Sequence, residues 1–247
     1  DGFAVEADDL RTGLLQVTFA ASTDESHPVL TGVLAEFEGS TLTLAAADGF
    51  RLSLRRIPLI HPVPTPFSVI IPARALSELM RIIGGQEEPV NISTTHPHNQ
   101  ILFKLTDTVL NSQLIDGNFP DVRRTIPAVS NTTVVLGREE ILQACKRAAI
   151  FARDVANIVT LSIQAGRITV SADSAESGQG STELMANVEG DGLDIAFNVR
   201  FLIDVFSALD TPQVALELNA PTNPGVIKAV GDDDFVHVVM PMHLGRR

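Results

Sequence analysis

A hairpin pattern pivoting on a glycine occurs twice in this chain, as LTGVLAEFEGSTLTLAAAD ending at Asp48 and as IVTLSIQAGRITVSAD ending at Asp173. Each copy follows an amphipathic helical pattern. In the first, Leu10, Leu14, Val17 and Ala21 share one face, with Arg11, Gln16 and Thr18 off it. In the second, Ile141, Cys145 and Ala148 form the apolar stripe. There Arg138-Glu139-Glu140 fill the first turns and Lys146, Arg147 and Arg153 come late, roughly as a helix dipole prefers.

After each hairpin a strand runs straight into a second helix, FSVIIPARALSELMRIIGG and LDIAFNVRFLIDVFSALD. Leu76, Leu79, Met80 and Ile83 repeat the spacing of Leu202, Val205, Phe206 and Leu209. Pro72 suits a first helical turn, Asn198 an N-cap, and Gly84 a left-handed helix end. Strands close both halves: PVNISTT, QILFKLT and TVLNSQLI, then QVALELN, GVIKAV and FVHVVM. Matching landmarks stand about 125 residues apart, too long a period for a solenoid and right for duplicated domains. The linker-like PAVSNTT, Pro127 to Thr133, marks the seam, so domains 1–127 and 128–247 are expected. Each is read as α+β, with antiparallel sheet and two helices on one face.

Composition narrows the function. The 247 residues, 45% of them hydrophobic, can bury a substantial core. A single cysteine, Cys145, forms no internal disulfide, and no signal peptide or membrane-length apolar run is visible, so a cytoplasmic location is expected. The sequons at Asn91 and Asn131 are then read as chance. The start Asp1-Gly2-Phe3, without Met, leads us to expect a preceding segment. Lys and Arg total 18 against 30 Asp and Glu, and the net charge of -12 repels polyanions at long range, unlike a simple nucleic-acid binder. Without Trp or Tyr, stacking platforms must come from Phe.

No catalytic constellation stands out. His96-Pro97-His98 reads better as a turn than as a metal pair, and Asp232-Asp233-Asp234 as a solvated hairpin tip. Cys145 belongs to an apolar helix stripe. SAESGQGS, from Ser174, lacks phosphate-loop spacing. Neither metal nor cofactor is expected. Surface features remain: Arg74 and Arg81 share a helix face, and Arg11, Lys146, Arg147, Arg153 and Arg200 also sit on the four helices. Were the duplicated helices on one side, these cations would form a positive strip within an acidic protein.

ADGFRL from Ala47, IIPARALSELMRII, LIDGNFPDVRR from Leu114, FNVRFLIDVFSAL and the terminal VVMPMHL together resemble the bacterial sliding clamps, the beta subunits of DNA polymerase III. The likeness runs through essentially the whole chain and keeps the order of the motifs. Clamps of this family have three copies of the repeat, and the chain resembles the second and third. The resemblance implies a non-catalytic processivity factor: a head-to-tail dimeric ring with helices lining a hole. Double-stranded DNA is held by topology, with weak, screened phosphate contacts, which accommodates the acidic total. It assigns Arg11, Arg74, Arg81, Lys146, Arg147 and Arg200 to the lining. Ring closure in the family joins the first domain to the third, so without that first domain a homodimeric ring is not expected.

The family also has a hydrophobic pocket, between its second and third domains, for short peptides of polymerases, the clamp loader and repair proteins. By motif, one wall comprises Leu30, Ala47, Gly49, Phe50, Arg51 and Leu52, followed by Pro120, Arg124 and Thr125. The other uses Asn198, Phe201, Val238, Met240, Pro241, Met242, His243 and Leu244, with Gly225 from the facing loop. Soft methionines adapt to differing partners, Pro241 stops the strand, and Gly49 permits close backbone approach. Ala47, Phe50 and Phe201 stand where the family often has Thr, His or Tyr, and Tyr, so this pocket is the more apolar. His27-Pro28 replaces a basic-aromatic pair, and Gly245-Arg246-Arg247 extends past the usual end. The alternatives are a DNA-independent adaptor and a metal-dependent hydrolase using His96, His98 and the aspartates.

Overall fold

The computed structural model describes residues 2–95, 99–174 and 178–243. The chain divides into two compact units, Asp1–Val122 and Arg123–Arg247. In the first, β1 (Gly2–Val5) leads into α1 (Ala7–Val17), then β2 (Gly32–Glu38), β3 (Thr41–Ala47), β4 (Arg51–Pro58) and β5 (Phe67–Pro72). Helix α2 (Ala73–Ile83) and strands β6 (Val90–Thr94), β7 (Gln100–Lys104) and β8 (Val109–Gln113) complete it. The second has β9 (Thr132–Gly137), α3 (Arg138–Ala152), β10 (Ile158–Gln164), β11 (Arg167–Ser174), β12 (Gly178–Met185), β13 (Asn187–Gly190) and β14 (Leu193–Asn198). It ends with α4 (Val199–Ala208), β15 (Gln213–Leu218), β16 (Gly225–Ala229) and β17 (Asp232–Val239).

The pairing repeats as well as the order. Antiparallel β1-β6-β7-β8 corresponds to β9-β15-β16-β17, and β4-β3-β2-β5 to β12-β11-β10-β14. Strand β13 is an addition, paired on the outside of β9. Each unit therefore contains two groups of paired strands where the sequence suggested one sheet. Side chains from both, and from both helices, share a core. In the first unit Leu10, Leu14 and Val17 of α1 and Leu76, Leu79 and Ile83 of α2 are buried with Phe37 of β2, Val90 of β6 and Phe103 of β7. Phe37 stacks on Phe67 at 4.6 Å between centroids, and Phe3 of β1 joins them at 5.4 to 5.5 Å, linking the two strand groups. In the second, Ile141, Cys145 and Ala148 of α3 are buried, as are Leu202, Val205 and Phe206 of α4.

Several local expectations change. Helix α1 stops at Val17 and continues as a 3-10 turn, Thr18–Ala20, so Ala21 lies beyond the helix. Gln16 is not on a solvated face: it is 2% exposed, because α1 packs on β3 and β4 and this flank of the helix is covered. A Cβ at Gly13 would run into the Ile57 side chain, so glycine is what allows α1 to lie this close. Pro72 occupies the N-cap position of α2 rather than its first turn. Gly84 does end that helix with a positive φ of 52°. The β16–β17 turn is made by Val230 and Gly231, and Asp232 to Asp234 begin β17 instead of forming the tip.

The stretch 127–133 falls in the second unit. Asn131 N–H donates to the Leu218 carbonyl and to Asn219 Oδ1, while Asn219 Nδ2 donates to the Val129 carbonyl. These bonds attach the linker-like residues to β15 and its exit. Among the described residues, no helix is long and apolar enough to cross a membrane.

Candidate functional site

In the first unit the candidate residues gather at the β3–β4 connection. Ala47 ends β3 buried, Leu52 is buried one step into β4, and between them Phe50 is 63% exposed. Gly49 has φ 89°, a turn conformation that favours glycine, and among the described residues no atom beyond its chain neighbours stands within 4 Å of where its Cβ would be. Asp48, absent from the candidate set, organises the turn. Its Oδ1 accepts from the N–H groups of Phe50 (2.9 Å) and Arg51 (3.0 Å), and its Oδ2 accepts from Arg51 Nε (3.0 Å). The other end of the Arg51 guanidinium donates to the Phe19 carbonyl at 2.9 Å and lies 5.5 Å from the Phe19 ring centroid. The ion pair is nearly enclosed, with side-chain exposures of 11% for Arg51 and 14% for Asp48.

Leu30 lies half-buried in the 3-10 turn Pro28–Thr31. Pro120 is exposed after the segment in which Ile115 N–H donates to the Ile70 carbonyl of β5. Arg124 and Thr125 occupy an exposed 3-10 turn, Val122–Thr125.

The second unit has its own cluster. Asn198 caps α4 by accepting from Arg200 N–H at 3.0 Å, and Phe201 follows, half-buried, in the first turn. Val238 is buried in β17, Met240 is 40% exposed, Pro241 and Met242 are half-buried, and His243 is exposed. Met242 N–H donates to the Ala196 carbonyl of β14 at 2.8 Å, which lays the segment after β17 beside the strand that enters α4. Pro241 offers no such donor. A Cβ at Gly225 would stand 2.8 Å from Phe197 Cζ, so this glycine makes room for the ring. Leu244 and the Gly245-Arg246-Arg247 extension lie outside the described residues.

The helix-borne cations differ in their surroundings. Arg11 donates to the Gly84 carbonyl at 2.8 Å and to Asp8 at 2.7 Å, tying α1 to the end of α2. Arg81 pairs with Glu78, with Nε to Oε2 at 3.0 Å. The bonds from Arg81 hold the Glu78 carboxyl below its ordinary range, and Glu78 in turn raises Arg81. Arg74, Lys146, Arg147 and Arg200 are exposed, and Arg147 Nε reaches Thr182 Oγ1 at 3.5 Å. Gln143, donating to Glu139, holds that carboxyl low, with Arg138 and Lys146 adding to the effect by charge. Arg138 donates to the Phe206 carbonyl at 3.2 Å and so repeats in the second unit the helix-to-helix tie of Arg11.

Among the described residues no three His, Cys, Asp or Glu side chains are grouped to hold a metal. His96 and His98 lie outside them, as do residues 175–177 of the glycine-containing SAESGQGS. Sequence reasoning passed over Asp48, although Asp before Gly is an Asx-turn signal. Phe19, 32 residues from Arg51, carries no such signal.

Comparison with known proteins agrees in both units. The family model of the DNA polymerase III beta subunit central domain matches residues 4–121, and that of its C-terminal domain matches residues 123–243. The beta sliding clamp of Bacillus subtilis is 34% identical over 241 residues, which cover 96% of this chain and 63% of that protein. A crystal structure of the Bacillus subtilis clamp superposes with a TM-score of 0.94 at 33% identity, covering 99% of this chain and 64% of the other. A Pseudomonas aeruginosa sliding clamp gives 0.92 at 30% identity, covering 98% and 67%. The chain thus spans less than two thirds of its Bacillus subtilis relative. It belongs to the DNA polymerase III beta-subunit family, the bacterial beta sliding clamps, and carries that family's central and C-terminal domains.

Proposed function

We propose that this chain is the peptide-docking part of a DNA sliding clamp: a cytoplasmic, non-catalytic processivity factor that, at full length, encircles duplex DNA and tethers a polymerase and clamp loader through short linear peptides. The domain boundary falls in the stretch 122–128. The observation that carries the reading is the tandem match of both halves to consecutive domains of one family. In support, Met240 and Met242 offer soft apolar surface on a segment anchored by the Met242 bond to Ala196, and Phe50 offers an exposed ring on a fixed turn.

DNA would be held by enclosure. Arg74, Lys146, Arg147 and Arg200 are exposed, while Arg11 and Arg81 each share their charge with a neighbouring carboxylate, in keeping with phosphate contacts weak enough to slide. Ring closure would be a head-to-tail dimer of the longer protein. The second unit suits it, because β12 is the outer strand of its group and exposed Met185, on β12, and Ile150, on the α3 helix packed against it, supply apolar contact.

A synthetic peptide with a Gln followed by a Leu-Phe pair is expected to bind. Met242→Ala with Leu244→Ala weakens it by roughly 2–4 kcal/mol if these side chains are anchors. Unchanged affinity in a fluorescence titration would remove both residues from the site.

A further inference from the structure

We infer that Asp48 is a positioning residue for partner binding, a latch that fixes the β3–β4 turn so that Phe50 is presented to an apolar or aromatic peptide side chain. The inference rests on the peptide-docking function proposed above. Asp48 itself, 14% exposed at the side chain, has both carboxylate oxygens committed within the turn.

One carboxylate makes three bonds in the turn. Oδ1 holds the backbone on both sides of the Phe50 peptide unit, through Phe50 N–H and Arg51 N–H, and Oδ2 holds the Arg51 side chain. The Asp48 N–H also donates to the Arg51 carbonyl at 3.3 Å. Arg51 extends the restraint to the Phe19 carbonyl and ring, so the turn is fastened to the segment that leaves α1. A Gly-containing turn is otherwise free to move, and ordering it on binding costs affinity. With the latch formed, that ordering precedes the partner. The large apolar group the latch leaves in solvent is Phe50, 63% exposed. The chemistry favoured at this point is an apolar or aromatic side chain, not one seeking a hydrogen bond.

The test is a double-mutant cycle on the full chain, read by titration of the same Gln and Leu-Phe peptide. Asp48→Ala is expected to weaken binding about tenfold. Asp48→Asn keeps an acceptor for the two backbone N–H groups but turns an amide NH2 toward Arg51 Nε, losing both the charge and the bond to that side chain, so it is expected to cost about threefold. In a Phe50→Ala background both effects shrink to less than about twofold, because the latch acts through the ring. Equal fold-losses in the two backgrounds, or wild-type affinity in Asp48→Ala, overturn the latch. Should circular dichroism find Asp48→Ala unfolded, the Asn series decides by the same criterion. A peptide that binds wild type and responds to Met242→Ala, yet is indifferent to Asp48, overturns the latch alone. A peptide that does not bind wild type overturns the docking site with it.

Discussion

The Cys145 thiol is fully buried in α3, and loss of solvation pushes its pKa from an ordinary 9.0 up to about 12. It is neither a nucleophile nor an accessible redox group at neutral pH. Its sign in the pH dependence of stability is definite. Below pH 9 the thiol is protonated whether the chain is folded or not; above it the unfolded chain releases a proton that the folded chain retains to about pH 12. Stability therefore falls as pH rises through that interval. Urea titrations between pH 9 and 12 are expected to show the fall, with a shallower slope in Cys145→Ala. A thiol reagent at pH 8 is expected to label the chain only after unfolding. Cys145 was legible from its stripe. Gln16 was not, because helical spacing ranks faces by hydropathy and cannot anticipate that packing on β3 and β4 encloses a polar flank too.

Elements were legible where their ends carry chemistry. Asn198 was read as a cap because its short polar side chain can accept from the first turn, and it does accept from Arg200 N–H. Asn198→Ala should lower unfolding stability by about 1 kcal/mol, and Asn198→Asp should restore most of it; urea denaturation reads both. No loss in the Ala variant would mean that the α4 N-terminus is satisfied otherwise. Strands β4 and β12 were poorly legible, as were β1, β9 and β13. In β12, GQGSTELM shows little apolar alternation, since this outer strand is mostly exposed or half-exposed. In β4, Arg55 and Arg56 interrupt the alternation of Leu52, Leu54 and Ile57. The β3–β4 turn was legible in composition and illegible in mechanism, for the Asp48 bonds are local while Arg51 reaches Phe19 across 32 residues.

For the whole molecule, duplication was legible because a repeated order of elements survives sequence divergence better than any single motif. The two groups of paired strands in each unit were not, since periodicity gives strands and not their partners. The net charge of -12 argues against a chain that grips DNA by wide neutralisation, and it is compatible with enclosure. Retention on circular DNA tests this most directly. The full-length clamp, loaded onto a nicked circle and passed through a sizing column, is expected to stay with the DNA and to be released when the circle is cut. Equal retention on circular and linear DNA, or none on either, would contradict enclosure.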